Sequence, residues 1–483
     1  MSSPCCSVLA NHLPHRVFLP DTARYNATEA SYWSTQEAVL SPSCIVQPES
    51  SSDVSKFISV VTSITNCDFA IKSQGHAPAA GFANINDGVT LDITTLNATT
   101  ISDDHSIASV GTGSAWTEVY RTLNPYNKTV AGGRNGAVGV GGLTIGGGIS
   151  YYSPQVGFTC DTAVNFEVVL ASSEIINANA TSHLDLYRAL KGGGNNFGVV
   201  TRIDFSTLET VPLFAGHLFN PANHTEDVLR AFANIAAAHD YDVHASIVTS
   251  LSFNSTTKTW SIINVPQYTL PNPNPPVYKE LSSIPNITSL TSFEIQNIST
   301  LSAEPPYPQK HELFHTSTYA APSNTSASTL LTEIFHYLNT SLSNAHPSYS
   351  PPDISWTLSL EPLPTAFTSH SHKDSILGLN TSENALITLF TGSWTNATLS
   401  NAANDLGRKL WRGMDQLAEA RGLLRGFRYY NYADVSQDVL ASYGGENVGF
   451  LREVSRKYDP AGVFQRKVPG GFKIPQARAM TGK

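Results

Sequence analysis

The chain has 483 residues, of which 41% are hydrophobic and only 14% charged, so it can bury a large core and is not expected to be disordered. Its formal net charge of −9 argues against a broad surface for nucleic acids or anionic membranes. No apolar run approaches the length of a membrane span. We therefore expect a globular protein without nucleic-acid or membrane partners.

The first 210 residues alternate short apolar strands with glycine-rich turns. Residues 51–65 show helical spacing of apolar side chains after a polar cap cluster. A second helix is predicted at 114–124, with Ser114 as its N-cap. Strand and helix patterns then predict strands at 68–71, 89–93, 165–170 and 199–205 and a short helix at 184–190.

The middle of the chain has a different pattern, with longer helices and strands. Two strands around an Asn-Ser-Thr-Thr turn predict a hairpin at 245–253 and 259–265. The other expected elements are helices at 226–239, 327–342 and 400–421 and strands at 355–360 and 385–390. Residues 429–474 return to glycine, proline and aromatic residues. This order predicts a domain at 213–425 inserted between two parts of another.

Glycine is concentrated at 131–157, where ten of 27 residues are glycine. Glycine lets the backbone approach a ligand closely, and successive N–H groups can bind a pyrophosphate. A tight-turn cluster or linker is the alternative, but interspersed Val138, Val140, Leu143 and Ile145 favour burial. Neither a P-loop nor the Rossmann glycine spacing is present. With a second glycine cluster from Lys191 and Ser-Gln-Gly-His at 73–76, the pattern predicts an extended cofactor touched at several points.

Two other motifs allow competing interpretations. His311 and His315 form a literal His-Glu-x-x-His, which in a zinc protease lies on a helix. Prolines directly upstream and a predicted strand at 316–319 argue against that helix, so we expect no metal site. Tyr429–Tyr432 place phenols and an amide together, which fits either core packing or a proton-accepting site beside a cofactor.

The cysteines and glycosylation motifs bear on localisation. Cys44 and Cys67 lie on either side of the first predicted helix, and we expect them to form a disulfide, leaving an odd thiol among Cys5, Cys6 and Cys160. Although the N-terminus lacks the apolar core of a signal peptide, Asn-x-Ser/Thr motifs are abundant and favour a secreted glycoprotein over a cytoplasmic protein. They begin at Asn26, Asn97, Asn127, Asn179, Asn223, Asn254, Asn286, Asn297, Asn324, Asn339, Asn380 and Asn396.

Taken together, five segments resemble the berberine-bridge-enzyme-like branch of the vanillyl-alcohol-oxidase/p-cresol-methylhydroxylase flavoproteins, and fungal members in particular. The resemblance covers nearly the whole chain. Its segments are SYWSTQEAVLSPSCIVQPESSSDV at 31–54, FAIKSQGHAPAAGFANINDGVTLD at 69–92, GGRNGAVGVGGLTIGGGISYYSPQVGFTCDTAVNFEVVLA at 132–171, LYRALKGGGNNFGVVTRIDF at 186–205 and NYADVSQDVLASYGGENVGFLREVSRKYDPAGVFQ at 431–465.

The resemblance implies an α+β fold with an FAD-binding domain in two parts. Residues 1–212 form the first part, with its FAD-binding loops within 69–205, and residues 426–483 are the C-terminal segment that returns to it. The inserted substrate domain, 213–425, is an antiparallel sheet covered by helices. Substrate-facing residues are expected on the strands at 355–361 and 385–390. We also expect a monomer, and the Cys44–Cys67 disulfide is consistent with fungal relatives.

The resemblance also assigns residues. His76 matches the histidine that bonds the flavin 8α-methyl group, whereas Asn135 stands where bicovalent members carry a cysteine, so one covalent bond is expected. Gln74 departs from the family's usual glycine. Val138 matches a position that influences oxygen access. The residues expected to contact FAD are Lys72, Ser73, Gln74, Gly75, His76, Val138, Gly139, Gly141, Gly142, Thr144, Gly146, Gly147, Gly148, Gly157, Val169 and Asn431.

The implied chemistry is that of an FAD-dependent oxidase. Tyr432 matches a tyrosine that acts as base in several members, with Asn431 beside it, although the family's Asp-Leu-Asp continuation after Asp434 is absent. The expected reaction takes hydride from an alcohol, phenol or amine, a biosynthetic intermediate, and passes it through flavin to O₂ to give H₂O₂. The alternatives are a carbohydrate or oligosaccharide oxidase, a flavin-dependent oxidative cyclase and, more remotely, a zinc metalloprotease using His311 and His315.

Overall fold

A computed structural model describes residues 3–303, 309–344, 353–371, 375–379 and 382–476. Within these ranges the strands are β1 (Val17–Phe18), β2 (Cys44–Val46), β3 (Phe69–Lys72), β4 (Val89–Asp92), β5 (Thr99–Ile101), β6 (Ile107–Gly111), β7 (Lys128–Thr129), β8 (Ala163–Val169), β9 (Ile175–Asn179), β10 (Val199–Ser206), β11 (Leu208–Glu209), β12 (Leu213–Asn220), β13 (Ala245–Asn254), β14 (Thr259–Tyr268), β15 (Ser292–Gln296), β16 (His311–Ala320), β17 (Ser355–Leu363), β18 (Ala385–Trp394) and β19 (Leu424–Arg425). The helices are α1 (Pro4–His12), α2 (Ala23–Glu29), α3 (Thr35–Ala38), α4 (Ser51–Ser63), α5 (Trp116–Leu123), α6 (Val140–Ile145), α7 (Ser153–Val156), α8 (Leu184–Leu190), α9 (Thr225–Ala236), α10 (Lys279–Ser283), α11 (Ile298–Leu301), α12 (Asn324–Ser343), α13 (Thr365–Thr368), α14 (Ser400–Ala420), α15 (Gly445–Tyr458) and α16 (Val463–Arg466). None of these helices is long and apolar enough to cross a membrane.

The first part of the chain forms two main sheets. One has the order β1-β2-β4-β3, in which β2, β4 and β3 are parallel, and the other has the order β5-β6-β10-β8-β9. Helix α4 begins at the N-cap Ser50, and its apolar residues, such as Phe57 and Val61, join a core that includes Phe69 of β3 and Val199 of β10. Helix α4 therefore shares one hydrophobic core with strands of both sheets.

The middle of the chain forms one antiparallel sheet with the strand order β15-β12-β14-β13-β17-β18-β16-β19. Because side chains alternate along a strand, its two faces differ. Leu358 and Leu360 of β17 pack with the apolar residues of α9, α12 and α14, whereas Ser359 and Glu361 of the same strand line a cavity on the other face. The α+β architecture with an antiparallel sheet covered by helices is thus confirmed. The strands of this sheet begin at Leu213 and end at Arg425, while the domain boundaries themselves stay predictions.

The predicted elements are present, but their ends differ. The helix expected at 114–124 begins at Trp116 with Ala115 as N-cap, and the buried Ser114 hydroxyl has no hydrogen-bond partner. The assignment of Ser114 as N-cap was therefore wrong. Strand β18 is also longer than expected. It was expected to end at 390 but runs to Trp394, because its pairing with β16 continues to His311.

The disulfide expected between Cys44 and Cys67 is wrong. Cys67 pairs with Cys5 and Cys44 pairs with Cys6, while Cys160 is a buried free thiol. The reason lies in the sheet order, since β4 separates β2 from β3. Two strand spacings, roughly 9.6 Å, exceed the Cα separation of about 7 Å that a disulfide can span. Adjacent cysteines on α1, which packs against α4, reach both sites.

Candidate active site

A single cavity of about 530 Å³ lies between the glycine-rich loops and the open face of the large sheet. Its walls combine residues from all three predicted segments. The sheet contributes Phe314 and Glu361, and the C-terminal segment contributes 429–433. The loops contribute Ser73–His76, Arg134, Asn135, Val138, Gly139, Gly141 and Gly142. Loops far apart in the chain therefore line one cavity together with the large sheet.

His76 lies near the start of the loop between β3 and β4, and it lines the cavity. The Trp33 indole stacks on it, with ring centroids 4.4 Å apart and an interplanar angle of 17°. Burial lowers the pKa of His76 to about 4, so the imidazole is neutral at physiological pH. Its Nε2 is buried without a hydrogen-bond partner. A neutral ring at the cavity wall, with a buried nitrogen that has no partner, is suited to bond an electrophilic carbon.

The backbone before His76 is shaped for close approach. Gly75 has φ +69°, and a Cβ there would lie 2.8 Å from the Tyr32 ring. Ser73 donates a hydrogen bond to the carbonyl oxygen of Thr112 (2.6 Å), and the Gln74 amide donates to that of Gly113 (2.6 Å). Gln74, at the position where the family usually has glycine, thus fixes this loop to the strand end after β6.

The second glycine loop leaves open space beside the first. A Cβ at Gly139 would lie 2.3 Å from the Ser73 hydroxyl oxygen, so the two loops touch there. At Gly142, on α6, an added Cβ would meet no protein atom within 4 Å, although this residue lines the cavity. The cavity therefore has room at Gly142 for a ligand that approaches the backbone, as the predicted cofactor loop requires.

Tyr432, Glu361 and Arg134 form a hydrogen-bonded triad in the cavity wall. The Tyr432 hydroxyl donates to Glu361 Oε1 at 2.8 Å, and Arg134 Nη2 donates to the Tyr432 oxygen at 2.6 Å. The same Nη2 lies 2.8 Å from Glu361 Oε1 in an ion pair. Glu361 Oε2 is buried without a partner. One phenol is thus placed between a cation and a carboxylate.

Electrostatics keep this phenol protonated. Burial raises the pKa of Tyr432 well above its usual value; Arg134 opposes this shift and Glu361 adds to it. Burial disfavours the charged form of Arg134, but the attraction of Glu361 and Tyr432 raises its pKa overall. A free tyrosinate is therefore not the resting form, and any proton that Tyr432 accepts needs a further acceptor.

Asn431 joins this wall to the second glycine loop. Its amide nitrogen donates to the carbonyl oxygen of Leu143 (3.0 Å) and to the Tyr429 hydroxyl (3.1 Å). A Cβ at Gly146 would lie 2.1 Å from its Oδ1. Glycine is needed at 146 for this contact with Asn431, although Gly146 does not itself line the cavity.

Several of the residues expected at the cofactor lie behind the cavity wall. The buried Lys72 amine lies 3.7 Å from Asp92 Oδ1 and 5.3 Å from the centre of the Tyr32 ring. Val169 is a buried core residue of β8, paired with Val199. The cavity lining includes Ser73, Gln74, Gly75, His76, Val138, Gly139, Gly141, Gly142, Asn431 and Tyr432 but not Lys72, Thr144, Gly146, Gly147, Gly148, Gly157 or Val169.

The His-Glu-x-x-His motif lies on a strand and not on a helix. His311 and His315 belong to β16, where four residues span roughly 13 Å, too far for two ligands of one ion. His311 stacks on Trp394 and His315 on Trp411. The described residues hold no cluster of three metal-binding side chains. The metalloprotease alternative thus lacks the helix on which it depends.

Three residues of the site were not recognised from the sequence. Arg134 is the one cation within the glycine-rich stretch, a signal that could have singled it out. Glu361 lay in the strand expected to face the substrate, but its pairing with Tyr432 carried no sequence signal. The buried amide of Gln267 also lines the cavity, and its Oε1 has no hydrogen-bond partner. It can take a polar group of a bound molecule.

Comparison with known proteins supports the same interpretation. Residues 42–179 match the family model described as "FAD binding domain". The chain is 34% identical to the FAD-dependent monooxygenase sdcF of Emericella nidulans over 99% of both chains. It belongs to the family of these FAD-dependent oxidoreductases. Tyr432, His76 and the glycine loops are thus residues of an FAD enzyme that shares the vanillyl-alcohol-oxidase/p-cresol-methylhydroxylase fold.

Solved structures share this fold at low identity. 6-Hydroxy-D-nicotine oxidase from Arthrobacter nicotinovorans has a TM-score of 0.77 and 20% identity, with 98% of this chain and 99% of that chain covered. Berberine bridge enzyme from Eschscholzia californica has a TM-score of 0.76 and 16% identity, with 99% and 100% covered. Glucooligosaccharide oxidase from Acremonium strictum, described with a 6-S-cysteinyl, 8α-N1-histidyl FAD, has a TM-score of 0.75 and 18% identity, with 98% and 100% covered.

Proposed function

We propose that this enzyme is an oxidase that holds FAD through one covalent bond at His76 and removes hydride from a small alcohol, phenol or amine, a biosynthetic intermediate. The observation that carries the proposal is the Tyr432–Glu361–Arg134 triad in the same cavity as His76. It supplies a route for a substrate proton beside the site expected for the flavin.

The cavity fits FAD on its own features. Two features would suit a covalently held, extended cofactor: the unpartnered Nε2 of His76 and the open space at Gly142. When bound, FAD accepts the hydride and passes electrons to O₂. Asn135 offers no thiolate, which supports a single covalent bond, and Val138 borders the cavity at the position associated with oxygen access.

The protein residues then handle the proton. A substrate hydroxyl or amine can give its proton to the Tyr432 oxygen while the Tyr432 proton moves to Glu361 Oε1, 2.8 Å away. Tyr432 is a phenol before and after this transfer, which agrees with its raised pKa. Arg134 holds the phenol oxygen in place and balances the negative charge of the site. The Gln267 amide offers a hydrogen bond that would orient the substrate.

The test is a panel of alcohols, phenols and amines scored for peroxide release and flavin bleaching without oxygen. Peroxide formed in equal amount to oxidised product supports an oxidase. Because the relative sdcF is named a monooxygenase, incorporation of labelled oxygen from ¹⁸O₂ into product is the alternative outcome. A ring closed in the product together with peroxide would indicate an oxidative cyclase, since that reaction also reduces the flavin. Turnover without peroxide or label would indicate a redox-neutral cyclisation, and preference for sugars a carbohydrate oxidase.

Secretion is a further part of the proposal. Two disulfides favour an oxidising compartment. Of the eleven glycosylation-motif asparagines that the structure describes, nine are exposed, and Asn179 and Asn339 are half-buried; Asn380 lies outside the described residues. A mass decrease after treatment with an N-glycosidase of protein made by the native host would support secretion, and an unchanged mass would contradict it.

A further inference from the structure

Trp33 and His76 form a stacked aromatic pair at the wall of the cavity. The indole covers one face of the imidazole, at 4.4 Å and 17°, while the ring still lines the cavity. A histidine ring otherwise turns broadly about its Cβ–Cγ bond. Stacking on Trp33 fixes the plane of the imidazole before any ligand binds.

Trp33 and residues close to it in the chain hold the His76 loop by hydrogen bonds. The Trp33 backbone N–H donates to the Gly75 carbonyl oxygen (3.2 Å), and the Gln36 amide donates to that of Pro78 (2.9 Å). The buried Glu37 carboxylate accepts from the N–H groups of Gly81 (3.2 Å) and Ala83 (2.7 Å). We call residues 32–37 the loop clamp.

The Tyr32 hydroxyl donates to the Ala83 carbonyl oxygen at 3.0 Å, which adds a contact at the far end of the loop. The same clamp also contacts the large sheet. Trp33 packs edge-on against Phe314 of β16 at 5.6 Å, and the Glu312 N–H donates to Gln36 Oε1 at 3.0 Å. Trp33 is therefore confined between His76 and the sheet that closes the cavity.

We propose that Trp33 is a positioning residue for flavin attachment, which fixes the plane of the His76 imidazole so that its nitrogen meets the flavin 8α-carbon. The inference rests on the proposed covalent bond at His76. In that reaction one N–C bond forms, one proton leaves the imidazole and one leaves the flavin methyl group, and the flavin gains two electrons that dioxygen then removes as peroxide. Trp33 takes no part in these bond changes. Its effect is on orientation, and a loss of orientation lowers the rate of such a step by roughly 10- to 100-fold.

The experiment compares wild type with Trp33→Ala, Trp33→Phe and Trp260→Ala, each produced under flavin limitation and then incubated with FAD. Trp260 is the matched control, because it is also a half-buried indole but packs on Phe253 and Phe335 outside the cavity. The covalent fraction is followed by fluorescence on denaturing gels and by the mass of the His76 peptide. Acid-released FAD measures non-covalent binding, and thermal unfolding measures stability.

We expect Trp33→Ala to bind FAD non-covalently but to attach it roughly 10- to 100-fold more slowly. Trp33→Phe should recover most of the rate, since it restores a stacked ring, and Trp260→Ala should attach FAD at the wild-type rate. Equal rates in Trp33→Ala and wild type, or equal slowing in Trp260→Ala, would overturn the role of Trp33. Absence of covalent FAD from wild type would overturn the proposed attachment at His76 itself, which is a separate result.

Discussion

Replacement of Tyr432 by phenylalanine separates proton transfer from structure. The variant loses only the hydroxyl, which donates to Glu361 at 2.8 Å and accepts from Arg134 at 2.6 Å, and keeps the ring packed edge-on against Tyr429 at 4.8 Å. The ion pair between Arg134 and Glu361, at 2.8 Å, stays intact. We therefore expect the fold and the bound FAD to survive this change.

The expected loss is in the chemical step. A positioned acid–base group contributes about 10²- to 10⁴-fold, or about 3 to 5 kcal/mol in the barrier. Loss of both hydrogen bonds of the Tyr432 hydroxyl should lower the free energy of unfolding by only about 1 to 3 kcal/mol, because Arg134 and Glu361 still pair with each other. The rate of flavin bleaching without oxygen measures the first quantity, with the best substrate from the peroxide panel, and thermal unfolding measures the second.

Glu361→Gln is the contrasting variant. It also removes the final proton acceptor, but it leaves the buried Arg134 without a counter-charge, so it should lower stability by about 3 to 5 kcal/mol as well as activity. Wild-type bleaching rates in Tyr432→Phe would refute the proton route through the triad. Equal destabilisation by the two variants would refute the electrostatic description of the site.

Three further predictions concern other parts of the chain. Gly142→Ala should keep or raise the stability of the flavin-free protein, because the added Cβ meets no protein atom. The same change should weaken FAD binding, measured by titration. The control Gly449→Ala on α15 should leave the affinity for FAD unchanged. Reducing both disulfides should lower the free energy of unfolding by about 2 to 5 kcal/mol per bond, measured by denaturant titration with and without thiol. Burial raises the pKa of Glu37 to about 7. Its contribution to the stability of the fold is therefore fully present below about pH 4.5 and is lost as the pH rises to 7. Glu37→Gln should then remove a decline of up to about 1.4 kcal/mol per pH unit in the free energy of unfolding between about pH 4.5 and 7, and an unchanged pH profile would contradict it.

The sequence predicted the fold well where local pattern decides it. The spacing of Phe57, Ile58 and Val61 predicted α4, and alternation along 355–360 predicted β17 with its cavity-facing residues. The expected Cys44–Cys67 disulfide was wrong because the pairing of the cysteines depends on β4 lying between β2 and β3. Sheet order is a tertiary property, and no spacing of cysteines in the chain contains it.

The site was predicted in part for the same reason. The glycine loops and the Tyr432 segment carry local signals, so they could be found from the sequence. Arg134 and Glu361 are 227 positions apart, and Trp33 and His76 stack across two loops, so only the folded chain pairs them. The expected contact of Lys72 with FAD stays a prediction, and its buried amine lies 3.7 Å from Asp92 Oδ1.

The proposed function depends on a covalent bond between FAD and His76. Its most direct test is the mass of the proteolytic peptide that contains His76, from protein purified with its flavin, beside the same peptide from His76→Ala. We expect one FAD added to the wild-type peptide, none on the variant, and no second attachment at the Asn135 peptide. A wild-type His76 peptide of unmodified mass, in protein that retains its yellow colour, would contradict it.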